Sequence, residues 1–122
     1  MAKVRDFREL KVWEKAHHLA LEVYKATATF PRDELYGLTS QTRRCCASVP
    51  ANIAEGCGRS GDPELARFCQ IAMGSASELE YHLLLARDLH FLNGSNYEAL
   101  SDGVVEVKRM LTSFIQKLKA ER

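Results

Sequence analysis

Apolar residues recur at alternating intervals of three and four along four stretches of the chain, and no stretch alternates apolar and polar residues long enough to indicate a strand. These intervals match the period of an α-helix and place the recurring side chains on one face. The pattern predicts helices at about 6–29, 39–57, 62–92 and 95–120. Short connections favour antiparallel neighbours, so we predict an all-α single domain over residues 1–122, an up-down-up-down four-helix bundle with shallow left-handed crossings.

Residues typical of helix ends bound these stretches. Asp6 and Ser95 each precede a glutamate three residues further on, which is the pattern of a capping box. Asp62 is followed by proline, which predicts an N-cap with proline at the first helical position. Pro31 and the pair Asn93-Gly94 predict the ends of the first and third helices.

The second helix contains a proline. Pro50 removes one backbone hydrogen bond and crowds the carbonyl four residues back, so we expect a kink there or, alternatively, a break into two shorter helices. The start of this helix is also open, because a beginning near Glu34 competes with one at Thr39 and Gly37 weakens the earlier choice.

The third helix carries more apolar residues than one bundle needs. Leu84 and Phe91 fall opposite its core-facing stripe, and the fourth helix adds apolar residues beside its own stripe. Such patches mark protein interfaces, although scattered surface hydrophobes are the alternative. We predict a homo-oligomer. The candidate interface residues are Tyr81, Leu84, Phe91, Val105 and Ile115.

A stripe of polar residues follows one face of the second helix, opposite Val49 and Ile53. Glu78 on the third helix is a candidate partner for Arg43 or Arg44. We predict a structural hydrogen-bond network here, with a binding surface for a partner or nucleic acid as the alternative. Its members are Gln41, Arg43, Arg44, Ser48, Asn52, Glu55, Arg59 and Glu78.

Charge is segregated although the net charge is only +1. Residues 1–15 hold five cations and three anions, and residues 108–122 hold five cations and one anion. An up-down-up-down bundle brings these segments to one end, which we call the basic pole. It predicts nucleic-acid binding, RNA or DNA, with complement to the helix dipole as the alternative. The candidate contacts are Lys3, Arg5, Arg8, Lys11, Lys15, Lys108, Arg109, Lys117 and Lys119.

Motifs for catalysis are missing from the sequence. The four cysteines form no Cys-x-x-Cys pair, the histidines show no metal-ligand spacing, and the glycine-rich segment 56–61 lacks the lysine of a P-loop. We therefore expect no enzyme activity, no cofactor, no metal and no small-molecule substrate. No apolar run suits a signal peptide or a bilayer, so we expect a cytoplasmic protein without a membrane partner.

Several stretches together resemble one family. They are Phe-Arg-Glu-Leu-Lys-Val-Trp-Glu-Lys-Ala at 7–16, Tyr-Gly-Leu-Thr-Ser-Gln at 36–41 followed by Arg43-Arg44, and Asn-Ile-Ala-Glu-Gly at 52–56. With these residues the chain resembles the bacterial 23S rRNA intervening-sequence proteins. That family is similar to the accessory variability determinant of diversity-generating retroelements.

The resemblance implies a homopentamer of four-helix bundles, and genes sometimes found inside inserts of large-subunit ribosomal RNA genes. The resemblance also implies that relatives in retroelements bind a reverse transcriptase and nucleic acid through basic surfaces. Two hypotheses follow for this chain. It is a non-enzymatic oligomeric scaffold that binds RNA through the basic pole, or an adaptor that docks an enzyme such as a reverse transcriptase.

Overall fold

The described residues, 5–120 of a computed structural model, form four α-helices and two short 3₁₀ helices, without a strand among them. The α-helices are α1 (Lys11–Thr27), α2 (Leu38–Cys57), α3 (Gly61–Asp88) and α4 (Gly94–Ala120). The 3₁₀ helices precede α1 and α2, at Phe7–Glu9 and Arg32–Glu34. The predicted all-α class with four helices is confirmed.

Each helix packs against its neighbours in sequence, and α1 also packs against α4, which closes the bundle. The α1–α4 seam runs in opposite directions along the two helices. Lys15 pairs with Glu106 at 2.9 Å, and a turn further on Leu19 lies beside Gly103, where a Cβ atom would stand 3.0 Å from Leu19 Cδ1.

The core lies along the common axis of the four helices. Val23, Ile53, Leu79 and Leu111, one from each helix, are completely buried. Removing a side chain of this size from water contributes about 1.5–3 kcal/mol. The recurring apolar positions of the sequence therefore become the interior of the bundle.

The first helix begins later than predicted. Leu10 has an extended backbone (φ −89°, ψ 124°), which separates the 3₁₀ helix Phe7–Glu9 from α1. Asp6 Oδ1 accepts a hydrogen bond from the Arg8 backbone N at 3.0 Å, so Asp6 caps the 3₁₀ helix. The predicted single helix over 6–29 is therefore wrong at its start. Asp6 caps only the 3₁₀ helix Phe7–Glu9, and the extended Leu10 separates that helix from α1.

The second helix runs through Pro50 without interruption. The alternative of two shorter helices is therefore wrong. Its start is held by Glu34, whose Oε1 accepts from the Leu38 backbone N at 3.0 Å. This arrangement accounts for the two competing predictions of the start. Glu34 lies in a separate 3₁₀ turn before α2, and its side chain caps the first residue of α2.

The boundaries of α3 and α4 also differ from prediction. α3 ends at Asp88 because His90 adopts a left-handed backbone (φ 65°), four residues before the predicted end. Asn93 Oδ1 accepts from the Asn96 backbone N at 2.7 Å, so the cap of α4 is Asn93 and Ser95 lies within the first turn.

Candidate nucleic-acid interface

The start of α1 and the second half of α4 lie side by side and form the basic pole. Between them is an open recess of about 390 Å³. Its floor is apolar and its rim carries three cations. The lining residues are Leu10, Lys11, Val12, Arg109, Met110, Ser113, Phe114 and Lys117. The sequence identified the cations by charge, but it missed Met110 and Phe114 as parts of the recess because both lie at the edge of the core stripe.

Two of the predicted contacts are neutralised by carboxylates on neighbouring helices. Lys15 Nζ lies 2.9 Å from Glu106 Oε1, and Lys108 Nζ donates to Glu80 Oε1 at 2.8 Å. Such pairs reduce the positive potential that a phosphate would meet. These two lysines therefore form ion pairs between helices and contribute little positive charge to the surface.

The two N-terminal arginines are also paired. Arg5 donates to Asp62 Oδ1 at 3.1 Å, and both side chains are about one-third exposed. The predicted N-cap role of Asp62 is wrong, because its carboxylate instead binds this arginine and attaches the N-terminal segment to α3. Arg8 donates to Asp6 Oδ1 at 3.2 Å and its guanidinium lies 4.4 Å from the centroid of the Phe7 ring.

Four predicted contacts remain without an anion. Lys11, Arg109, Lys117 and Lys119 are exposed, and no carboxylate of residues 5–120 lies within 4.0 Å of them. Lys3 lies outside the described residues. The unpaired cations therefore collect around the recess and the last turn of α4.

Part of the predicted polar network joins α2 to α3. Ser48 Oγ and Ser75 Oγ share a hydrogen bond of 2.8 Å. Asn52 Nδ2 donates to the backbone O of Ser48 at 2.8 Å and to its Oγ at 2.9 Å. Gln41, Arg44 and Glu78 line the same polar groove. Glu55 accepts from Arg59 at 2.7 Å on the exposed face of α2.

The predicted pairing of Glu78 with Arg43 or Arg44 is wrong. Arg43 turns toward α1, where its Nε donates to Thr27 Oγ1 at 2.8 Å. Arg44 donates to Ser40 Oγ at 2.9 Å along its own helix. Arg43 therefore faces away from Glu78, whereas Arg44 lines the same groove as Glu78 but forms its hydrogen bond with Ser40.

A buried contact that the sequence did not predict lies at the base of this groove. Cys45 Sγ is 3.4 Å from His82 Nδ1, and His82 Nε2 is 3.8 Å from Glu78 Oε2. Burial and then the charge of Glu78 raise the pKa of the Cys45 thiol to about 12. A thiol held protonated at neutral pH is a poor nucleophile, so the geometry favours a structural hydrogen bond.

Only part of the predicted oligomer surface is exposed. Ile115 is 5% exposed and belongs to the bundle core, so its assignment to an interface is wrong. Phe91 is half-buried with its ring 5.7 Å from that of Phe30. Leu84 and Val105 are half-buried as well, whereas Tyr81 is 57% exposed.

Within residues 5–120 no three His, Cys, Asp or Glu side chains stand together as a metal site would require. Nor does this part of the chain hold a helix with the length and hydropathy needed to cross a bilayer.

The fold and the basic pole define a small all-helical protein with a cationic end. The family model of the 23S rRNA-intervening sequence protein matches residues 8–113, and the chain belongs to that family. The predicted resemblance is thereby confirmed.

A solved structure shares the fold. It is the 1.70 Å crystal structure of a protein with unknown function from the S23 ribosomal protein family of Bacteroides thetaiotaomicron VPI-5482. The TM-score is 0.80 and the identity 23%, over 86% of this chain and 95% of that one. A comparison with curated proteins finds no match.

Proposed function

We propose that this protein is a non-enzymatic, oligomeric binding protein that holds RNA at the basic pole. The observation that supports the proposal is the sorting of its cations. Lys11, Arg109 and Lys117 surround one recess, and no carboxylate of residues 5–120 lies within 4.0 Å of them, whereas Lys15 and Lys108 are paired. Unpaired, exposed cations are the groups that exchange counterions for phosphates.

The two kinds of cation suit a phosphate backbone in different ways. Arg109 offers a planar guanidinium that binds two phosphate oxygens at once. Lys11 and Lys117 offer point charges on flexible stems, which follow an irregular strand. The surface supplies charge without a groove-reading element, so we expect affinity that depends on salt more than on sequence.

The test is the salt dependence of RNA binding, followed by fluorescence anisotropy with a labelled single strand. A variant with Lys11→Gln, Arg109→Gln and Lys117→Gln should lower the slope of log affinity against log salt by about 2, since each single-strand phosphate contact contributes roughly 0.7. Lys15→Gln with Lys108→Gln is the matched control, because it removes cations already bound to carboxylates.

The control should change the slope by much less than the recess variant. Binding that does not weaken with added salt, or equal effects of the two variants, would remove this proposal.

The proposed assembly is a homopentameric ring of antiparallel bundles with left-handed crossings. It is supported by the apolar side chains that α3 leaves on the surface, Ile71 at 42% and Tyr81 at 57% exposure. A ring would gather five basic poles and multiply the local charge. Ile71→Glu with Tyr81→Glu should lower the sedimentation coefficient, and a particle that sediments as a monomer before substitution would contradict the assembly.

The apolar floor of the recess favours a second candidate function, an adaptor for a protein. Met110 and Phe114 with a cationic rim suit an amphipathic helix whose polar side is acidic. A partner such as a reverse transcriptase would present that helix. Met110→Ala changes no charge, so it should weaken capture of the partner while salt-dependent RNA binding persists. Loss of RNA binding alone would favour the first function.

A further inference from the structure

Four of the large apolar side chains left exposed by the fold gather at the other end of the bundle from the basic pole. They are Leu21 (55% exposed), Tyr24 (44%), Leu35 (50%) and Tyr36 (93%). They belong to the second half of α1 and to the segment that leads into α2. Tyr36 contributes almost nothing to the core, so its ring is available to another molecule.

Three of these side chains, Tyr24, Leu35 and Tyr36, line an open concavity of about 510 Å³. Its remaining lining residues are hydroxyls and guanidinium groups, namely Thr39, Ser40, Arg43 and Arg44. An adjoining recess shares Leu35 and Arg43 and adds Arg32. The lining residues of both include three arginines and no aspartate or glutamate, so the surface is complementary to an anion.

The aromatic part of the concavity is held in place by Arg43. Its guanidinium lies 4.9 Å from the centroid of the Tyr24 ring, and its Nη2 donates to the Tyr24 backbone O at 3.2 Å. Arg44 is exposed and binds only Ser40 Oγ at 2.9 Å within the described residues. Arg43 therefore orients the Tyr24 ring, and Arg44 has guanidinium N–H donors available to a ligand.

We propose that this concavity binds unpaired bases of single-stranded nucleic acid, with Tyr36 and Tyr24 as stacking surfaces and Arg44 and Arg32 on the phosphates. The proposal rests on nucleic-acid binding as the function but concerns a separate site. Aromatic rings beside a cationic, hydroxyl-bearing wall are what single-strand binding uses, because every base has a face to stack. A duplex hides those faces, so this site should discriminate between single and double strands.

The test compares a labelled oligouridylate with a duplex RNA of equal length. Tyr36→Ala should weaken oligouridylate binding about five-fold or more, the effect of losing one stacked base, and leave duplex binding unchanged. The salt slope should stay the same because no charge is removed. Tyr36→Trp should retain affinity. Leu89→Ala is the control, because this apolar side chain is 47% exposed and belongs neither to the concavity nor to the proposed oligomer surface.

Arg44→Gln supplies a second measurement, since losing one phosphate contact should lower the single-strand salt slope by roughly 0.7. Tyr36→Ala without effect, while the Lys11, Arg109 and Lys117 variant still loses affinity, would overturn the stacking site and leave the proposed function intact. The reverse pattern would overturn the basic pole and keep the stacking site. A sedimentation change in Tyr36→Ala, or competition by an acidic peptide but not by oligouridylate, would also overturn the stacking site.

Discussion

The Nε atom of Arg43 on α2 donates a hydrogen bond of 2.8 Å to Oγ1 of Thr27 in the last turn of α1. Thr27 is 2% exposed, and its hydroxyl in turn donates to the Val23 backbone O at 2.8 Å. A buried hydroxyl is thus satisfied on both sides, and the charged donor joins two antiparallel helices near the end where α1 stops.

Removing that donor should destabilise the bundle. Arg43→Met keeps most of the apolar stem but leaves the Thr27 oxygen without its charged partner, which should cost about 1.5–3 kcal/mol in the free energy of unfolding. Urea denaturation measures the change. Arg44→Met is the matched control, since Arg44 bonds an exposed hydroxyl and its loss should cost less than about 0.5 kcal/mol. Equal losses would contradict the role of the Thr27 contact.

The cap of α4 gives a second prediction. Asn93→Ala removes the acceptor of the Asn96 backbone N, so it should lower the free energy of unfolding by about 1 kcal/mol. Ser95→Ala should be close to neutral because Ser95 is already inside the helix. Thermal denaturation of the two variants separates these positions, and a larger loss at Ser95 would show that the capping box governs the start of α4.

Two helical glycines should respond in opposite ways to alanine. At Gly56 a Cβ atom would lie 2.9 Å from Leu65 Cδ1 and 2.9 Å from Phe68 Cβ, so Gly56→Ala should destabilise by about 1–3 kcal/mol through overpacking. At Gly74 no atom of the described residues outside the neighbouring backbone of α3 lies within 4 Å of that position, so Gly74→Ala should stabilise α3 by about 0.5–1 kcal/mol. Chemical denaturation gives both values. A loss at Gly74 would indicate that another chain packs there.

The periodicity of the sequence predicted the core well because burial averages over many residues. Val23, Ile53, Leu79 and Leu111 would keep their places if any helix boundary moved by a turn. The basic pole was predictable for a related reason. It follows from the order of the helices, because the antiparallel α1 and α4 bring the cationic start of the one beside the cationic end of the other.

Helix ends and side-chain partners were less predictable because each depends on a choice among nearby groups. Asn93 and Ser95 are both good caps, and only the backbone geometry selects Asn93. Glu34 caps α2 from a 3₁₀ turn that hydrophobic spacing does not reveal. Arg43 and Glu78 fail to meet because the rotation of α2 is set by packing, which no local pattern encodes.

The buried thiols yield a prediction about pH. Burial raises the pKa of Cys45, Cys46 and Cys69 to about 12, against an ordinary value of 9.0. The folded protein therefore keeps protons that the unfolded chain releases above pH 9. The contribution of these thiols to the free energy of unfolding is fully present below pH 9 and decreases as the pH rises toward 12.

The free energy of unfolding should fall between pH 8 and pH 10 by roughly 1 kcal/mol for each such thiol. Urea denaturation at the two pH values measures the difference. Cys69→Ala and Cys46→Ala should each show a smaller fall in the free energy of unfolding. The cost of the cavity cancels because the two pH values are compared within the same variant. An identical fall in the wild type and both variants would mean that lysines and tyrosines, not the buried thiols, carry the pH dependence.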